Sequence, residues 1–107
     1  MVLRIWHGWT RPENADVYES LLKETIFPRI EAMKIDGFQR IRLLRADQDG
    51  MDTEFVTVME FESFDSVRKF AGEDYTQSYV PDEAQRVLAR FDQHAQHYVV
   101  TEDRCYT

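Results

Sequence analysis

A chain of 107 residues, 43% hydrophobic and 13% aromatic, has apolar surface for one packed domain and too little length for two, so residues 1–107 are taken as a single unit. A formal net charge of −7 argues against general binding to nucleic acid or to an anionic membrane. The single cysteine, Cys105, excludes an intrachain disulfide, and neither a signal-type apolar core nor a membrane-length stretch occurs, so the sequence reads as soluble and cytoplasmic.

Val2 to Trp9 reads as a strand, with Leu3, Ile5, His7 and Trp9 on one side and Arg4, Trp6 and Gly8 on the other. Gly8 inside it predicts a bulge or the close approach of another group. Pro12 with Asn14 or Asp16 predicts a helix start, and Val17, Tyr18, Leu21, Leu22 and Ile26 recur at helical spacing. Pro28 lacks a backbone N–H and disfavours helical geometry at Phe27, so the helix is expected to kink or stop there and resume through Ile30 and Met33 to Gly37. Such a break leaves a gap over the sheet or merely follows the sheet's twist; the second is the preferred reading.

The stretch from Gly37 to Gly72 organises the rest, as strand, turn, strand and short amphipathic helix. Asp47 to Gly50 supplies the turn. Pairing odd with odd positions sets Ile41 and Leu43 beside Thr57 and Met59 as an apolar floor. The even positions mix Phe38, Leu44, Val56 and Val58 with Arg40, Arg42 and Glu60. That face is read as a self-association surface obeying two-fold symmetry, with a solvated face as the alternative.

Ser63 is the expected cap of the helix carrying Val67, Phe70 and Ala71, which Gly72 ends. Asp74 to Val80, with Tyr75 and Tyr79 four apart, is expected to make one or two helical turns. Asp82 starts a last helix with Gln85 in the capping-box position and Ala84, Val87, Leu88 and Phe91 facing inward. A final strand is expected at about His94 to Thr101. The order strand, helix, strand, strand, helices, strand is that of an α+β ferredoxin-like split βαβ domain with one antiparallel sheet.

His94 and His97 have metal-pair spacing, but residues three apart on a strand point to opposite faces, so no metal site is expected. His97 reads first as a hydrogen-bonded core or interface residue, since a buried polar group must find a partner. The sharper reading makes it a general base or a substrate partner. His7 lies mid-strand near the start; its face relative to His97 is left open. Among the aromatics, Tyr75 and Tyr79 lie between Gly72 and Pro81, where few local constraints hold the chain, and are placed at a pocket rim.

RIWHGWT at the first strand, the run EFVTVMEFESFDSVRKFAGEDY and HYVV at the last strand resemble, in order and spacing over nearly the whole chain, the antibiotic biosynthesis monooxygenase family of the dimeric α/β-barrel superfamily. The resemblance implies a homodimer whose two sheets pack face to face to close a barrel. It also implies a cavity between sheet and helices, and chemistry in which some members oxygenate polycyclic aromatic phenols with molecular oxygen alone, without flavin, metal or haem. Haem-degrading relatives use an Asn on the first strand, a Trp ending the third and a His on the helix beyond. Here the first strand has no Asn, Phe61 holds the Trp place and Val80 falls near the His place, so haem degradation is disfavoured. The leading expectation is a cofactor-independent monooxygenase for a small aromatic or polyketide-like compound. His97 or His7 is its proton acceptor, Tyr75 and Tyr79 bind a phenolate or carbonyl, Met59 and Phe61 floor the pocket, and Trp9 completes the substrate set. The rivals are a non-catalytic module that holds a metabolite and a structural protein whose aromatics are all core.

Overall fold

The computed structural model describes all 107 residues. A nine-residue strand, β1 (Val2–Thr10), is followed by a 3-10 turn at Pro12–Asn14 and by α1 (Ala15–Leu21). A π-type turn (Leu22–Ile26) joins α1 to α2 (Phe27–Ala32). The hairpin is β2 (Phe38–Ala46) with β3 (Thr53–Phe61), and α3 (Phe64–Ala71), α4 (Asp82–Val87), β4 (Arg90–Phe91) and β5 (Gln96–Val99) complete the chain. The sheet order is β2-β3-β1-β4, every pairing antiparallel, and β5 also pairs with β1. β4 and β5 are thus two halves of one lane, interrupted at 92–95. This is the ferredoxin-like α+β fold. No helix is long and apolar enough to cross a membrane.

The hairpin register pairs Ile41 with Met59 and Leu43 with Thr57, as the alternation predicts, and Gly50 makes its turn at φ 73°. One shift occurs: between Phe38 and Arg40 the register slips, so Phe38 lies opposite Phe61. Gln39 is the extra residue, and a bulge reverses parity. Phe38 therefore leaves the mixed face and packs on Phe61, ring centroids 5.4 Å apart.

Pro28 does not stop the helix. The Phe27 N–H donates to the Leu22 carbonyl in the wide turn, and Pro28 follows directly on that turn, so the helical path runs on through the proline into α2. Ser63 caps α3 as expected, accepting from the Ser66 N–H. Asp74 to Val80 forms no helix; it is an irregular cover whose Gln77 bridges to His94. The last helix ends at Val87 because Leu88 is extended (ψ 136°), and Phe91 lies in β4. Gln85 closes no capping box: its side-chain N–H donates to the Val80 carbonyl at 2.9 Å. Gly8 pairs regularly with Phe55 and Phe91, so there is no bulge; a Cβ there would sit 3.0 Å from the Trp6 ring and 3.1 Å from Leu88.

The helices cover one face of the sheet. Its even β1 positions and odd β3 positions meet in pairs, Val2 with Phe61, Arg4 with Met59, Trp6 with Thr57, and Tyr18, Leu22, Ile26 and Ile30 close over them. The other face is open, with Leu3, Ile5, Val56 and Val58 half-buried at its centre and Leu44 and Tyr98 exposed at its margins.

Candidate functional site

The gap considered for a broken helix exists. Beneath the π-type turn a cavity is lined by Arg4, Trp6, Tyr18, Leu22, Ile26, Phe27, Ile30, Thr57, Met59, Phe70, Tyr79, Val80, Pro81 and Ala84. Widened turns of this type recur at functional sites. The enclosed part of the cavity is about 50 Å³, enough for a few waters, while the full hollow with its open mouth spans about 500 Å³. A ring compound therefore has to occupy the mouth as well as the enclosed part.

The irregular segment 73–81 forms one wall, and two side chains of β1 pin it. The Trp6 indole N–H lies 2.9 Å from Ser78 Oγ and 2.8 Å from the Asp92 carbonyl, and donates to both. The Arg4 guanidinium donates through Nη2 to the Gln77 carbonyl at 2.8 Å and through Nη1 to the Tyr75 carbonyl. Arg4 is only 3% exposed, and desolvation brings its pKa down to about 10.

Arg4 Nη1 also lies 3.1 Å from His97 Nε2. A guanidinium only donates, so Nε2 accepts and the imidazole is neutral with its proton on Nδ1. Burial, reinforced by the Arg4 charge, pushes the His97 pKa down to about 4. The imidazole packs on the Tyr75 ring at 4.8 Å and near Phe64 at 6.3 Å. Burial pushes the Tyr18 hydroxyl up, which keeps it a neutral donor at the cavity.

Among the residues singled out from sequence, Met59 and Tyr79 line the cavity. Tyr75 and His97 stand one layer behind it, around Arg4. Phe61 is fully buried between Phe38 and Phe70 and does not border the space. The two histidines face opposite sides of the sheet. His7 lies on the open face, where its Nδ1–H donates to Glu54 Oε2 at 2.8 Å. Trp9 is on that face too, stacked with His7 and covered by Arg90 at 3.8 Å, beside a polar hollow lined by Gln48, Asp52 and Glu54.

Arg4 and Trp6 are the site residues that sequence reasoning missed. The signal was a lone arginine within the apolar run Val2–Trp6, sharing parity with a tryptophan and a glycine.

No protein-family model and no curated protein matches the chain. Solved structures do match. A proposed antibiotic biosynthesis monooxygenase from Bacillus cereus aligns over 98% of this chain and 97% of its own at TM-score 0.67 and 15% identity. SnoaB, a cofactor-independent oxygenase from Streptomyces nogalater, aligns over 95% of both chains at TM-score 0.53 and 17% identity. A dimeric ferredoxin-like protein from an uncultured marine organism aligns over 98% of both at TM-score 0.61 and 15% identity. At these identities the likeness establishes the fold, a ferredoxin-like α+β domain matched from end to end.

Proposed function

We propose that this chain is a cofactor-independent monooxygenase for a small aromatic or polyketide-like compound, working as a homodimer. The observation that carries the reading is an apolar cavity between sheet and helices with a cation, Arg4, in its wall. An electron-rich ring anion reacts with molecular oxygen once formed, so the protein needs to supply a dry site and to favour the deprotonated substrate. Arg4 favours it by charge, and the hydroxyls of Thr57, Tyr18 and Tyr79 are the donors available to substrate oxygens. His97 serves as a positioning residue that fixes the guanidinium. With an anthrone-type substrate the reaction balances without a further reductant. The methylene carbon loses two hydrogens and gains one oxygen atom as a carbonyl, and the second oxygen atom leaves with those hydrogens as water. The structures named above as a proposed monooxygenase and an oxygenase share the fold and support this reading.

The open face is the surface assigned to the second copy. Its apolar centre of Leu3, Ile5, Val56 and Val58, with Arg40 and Glu60 3.9 Å apart beside it, has the mix of an interface, and one structural neighbour is named as dimeric. Oxygen uptake with a panel of anthrone-type phenols is the test. Uptake above the protein-free rate supports the enzyme, and none across the panel overturns it. One observation favours a binding module instead: the lone pair of His97 is already engaged by Arg4, and no histidine borders the cavity. That reading expects the same phenols to be retained without oxygen uptake.

A further inference from the structure

Arg4 is a buried cation without a counter-ion. Its polar partners are the Tyr75 and Gln77 carbonyls and a neutral imidazole, and none of the ion pairs in the protein includes it. A buried charge left unpaired is costly, and proteins rarely retain one unless something completes it. The other inward-facing arginine of the sheet makes the contrast: Arg45 pairs with Asp16, Glu19 and Asp47.

The unused donors of Arg4 have a definite shape. Nη1 is spent on Tyr75 and His97 and Nη2 gives one hydrogen to Gln77, leaving Nε–H and the other Nη2 hydrogen without an acceptor in the protein. Nε–H and the Nη2 hydrogen beside it form the edge of a guanidinium that grips two oxygens sharing a charge. Nε has no partner and is not among the sealed side-chain polar atoms, of which only Thr10 Oγ1 lacks one, so it borders open space, and Arg4 lines the cavity. Around it the wall is apolar and aromatic, with Trp6, Met59 and Phe70 adjacent in the lining.

We infer that the cavity takes a ligand with an apolar, ring-containing body and a planar oxyanion, two oxygens sharing one negative charge, held side-on by Arg4. A carboxylate and the U-shaped enolate of an open-chain 1,3-diketone or a peri-hydroxyketone both present two charge-sharing oxygens on one side. The inference names the substrate class for the cavity proposed above as catalytic, yet concerns binding only.

The experiment is calorimetric titration of the intact chain with 2-naphthoate, with the enolate of the open-chain diketone 4,4,4-trifluoro-1-phenylbutane-1,3-dione and with neutral 2-naphthylmethanol. One or both anions should bind about tenfold or more tightly than the alcohol, and which of them does so tells a carboxylate site from an enolate site. Arg4→Met should remove that advantage, the anions then binding no more tightly than the alcohol, and Arg4→Lys should recover only part of it, because an ammonium lacks the fork. Equal affinity of the wild-type chain for both anions and the alcohol overturns the inference, and that comparison holds even where Arg4→Met fails to fold. Tight anion binding without oxygen uptake on phenols would sink the monooxygenase and keep the oxyanion site; uptake without anion preference would do the reverse.

Discussion

The two faces of this sheet carry one histidine each, on neighbouring strands, and the difference between them is parity. On the inner face His97 is packed among Tyr75, Phe64 and Arg4 and held neutral by burial. On the open face His7 is one-third exposed beside an equally exposed Glu54. Arg4 and His7 stand three residues apart on one strand and so serve opposite sides of the molecule. Residue type alone therefore says little about chemistry in a sheet protein. What matters is whether the side chain shares a face with the core, because there a charge or a lone pair is desolvated and must be matched.

The comparison breaks most visibly at the inner face itself. Phe61 is 0% exposed and packs against Phe38 and Phe70. Phe61→Ala should cost about 3–5 kcal/mol of stability by urea unfolding, the range for deleting a buried ring. Val56→Ala on the open face should cost a fraction of that in the unassembled chain. The open face is expected to matter for assembly instead. Val58→Asp places like charges across the proposed two-fold contact and should weaken the proposed dimer by roughly a hundredfold or more, seen by light scattering as a shift to monomer with the far-ultraviolet spectrum unchanged. A wild-type chain already monomeric at micromolar concentration would remove the assembly from the proposal.

His97→Gln sharpens the contrast through pH. The folded His97 pKa of about 4 lies below the ordinary 6.5, so the unfolded chain binds more protons between those values. Its contribution to stability is complete above about pH 6.5 and is lost as pH falls toward about 4. The wild-type urea midpoint should fall through that window more steeply than that of His97→Gln, whose side-chain oxygen still accepts from Arg4. If His97 only positions the guanidinium, turnover should also survive His97→Gln better than His97→Ala, which should lose about tenfold to a hundredfold.

Much of this was legible because strand period and turn chemistry are local. The pairing of Ile41 with Met59, the Gly50 turn, the Ser63 cap and the close approach at Gly8 all followed from residue spacing. The bulge at Gln39 was not, since one extra residue leaves no mark in composition and yet reverses the face of Phe38. Nor was the irregular cover at 74–80: its tyrosine spacing fits a helix, but Trp6, Arg4 and Gln93 supply its backbone and side-chain partners from elsewhere in the chain. Arg4 was missed for the same reason. Parity divided β1 correctly into two sets, but only pairing with Met59 and the closing helices decide which set is inside.

The smallest expected effect tests the open face from the other side. His7→Gln removes a hydrogen-bonded pair with Glu54 in which both side chains are 33% exposed. Exposed pairs contribute about 0.2–1 kcal/mol, because water replaces most of what is lost, so the unfolding midpoint should move little. Turnover should stay within about twofold, since the His7 imidazole and the cavity lie on opposite sides of β1. The dimer is the more sensitive readout: a pair this exposed in one chain becomes desolvated if a second sheet covers it, and its removal then changes the dissociation constant more than the stability of either chain. A large loss of turnover with the dimer intact would instead mean that His7 reaches substrate, and the division of labour between the two faces would have to be redrawn.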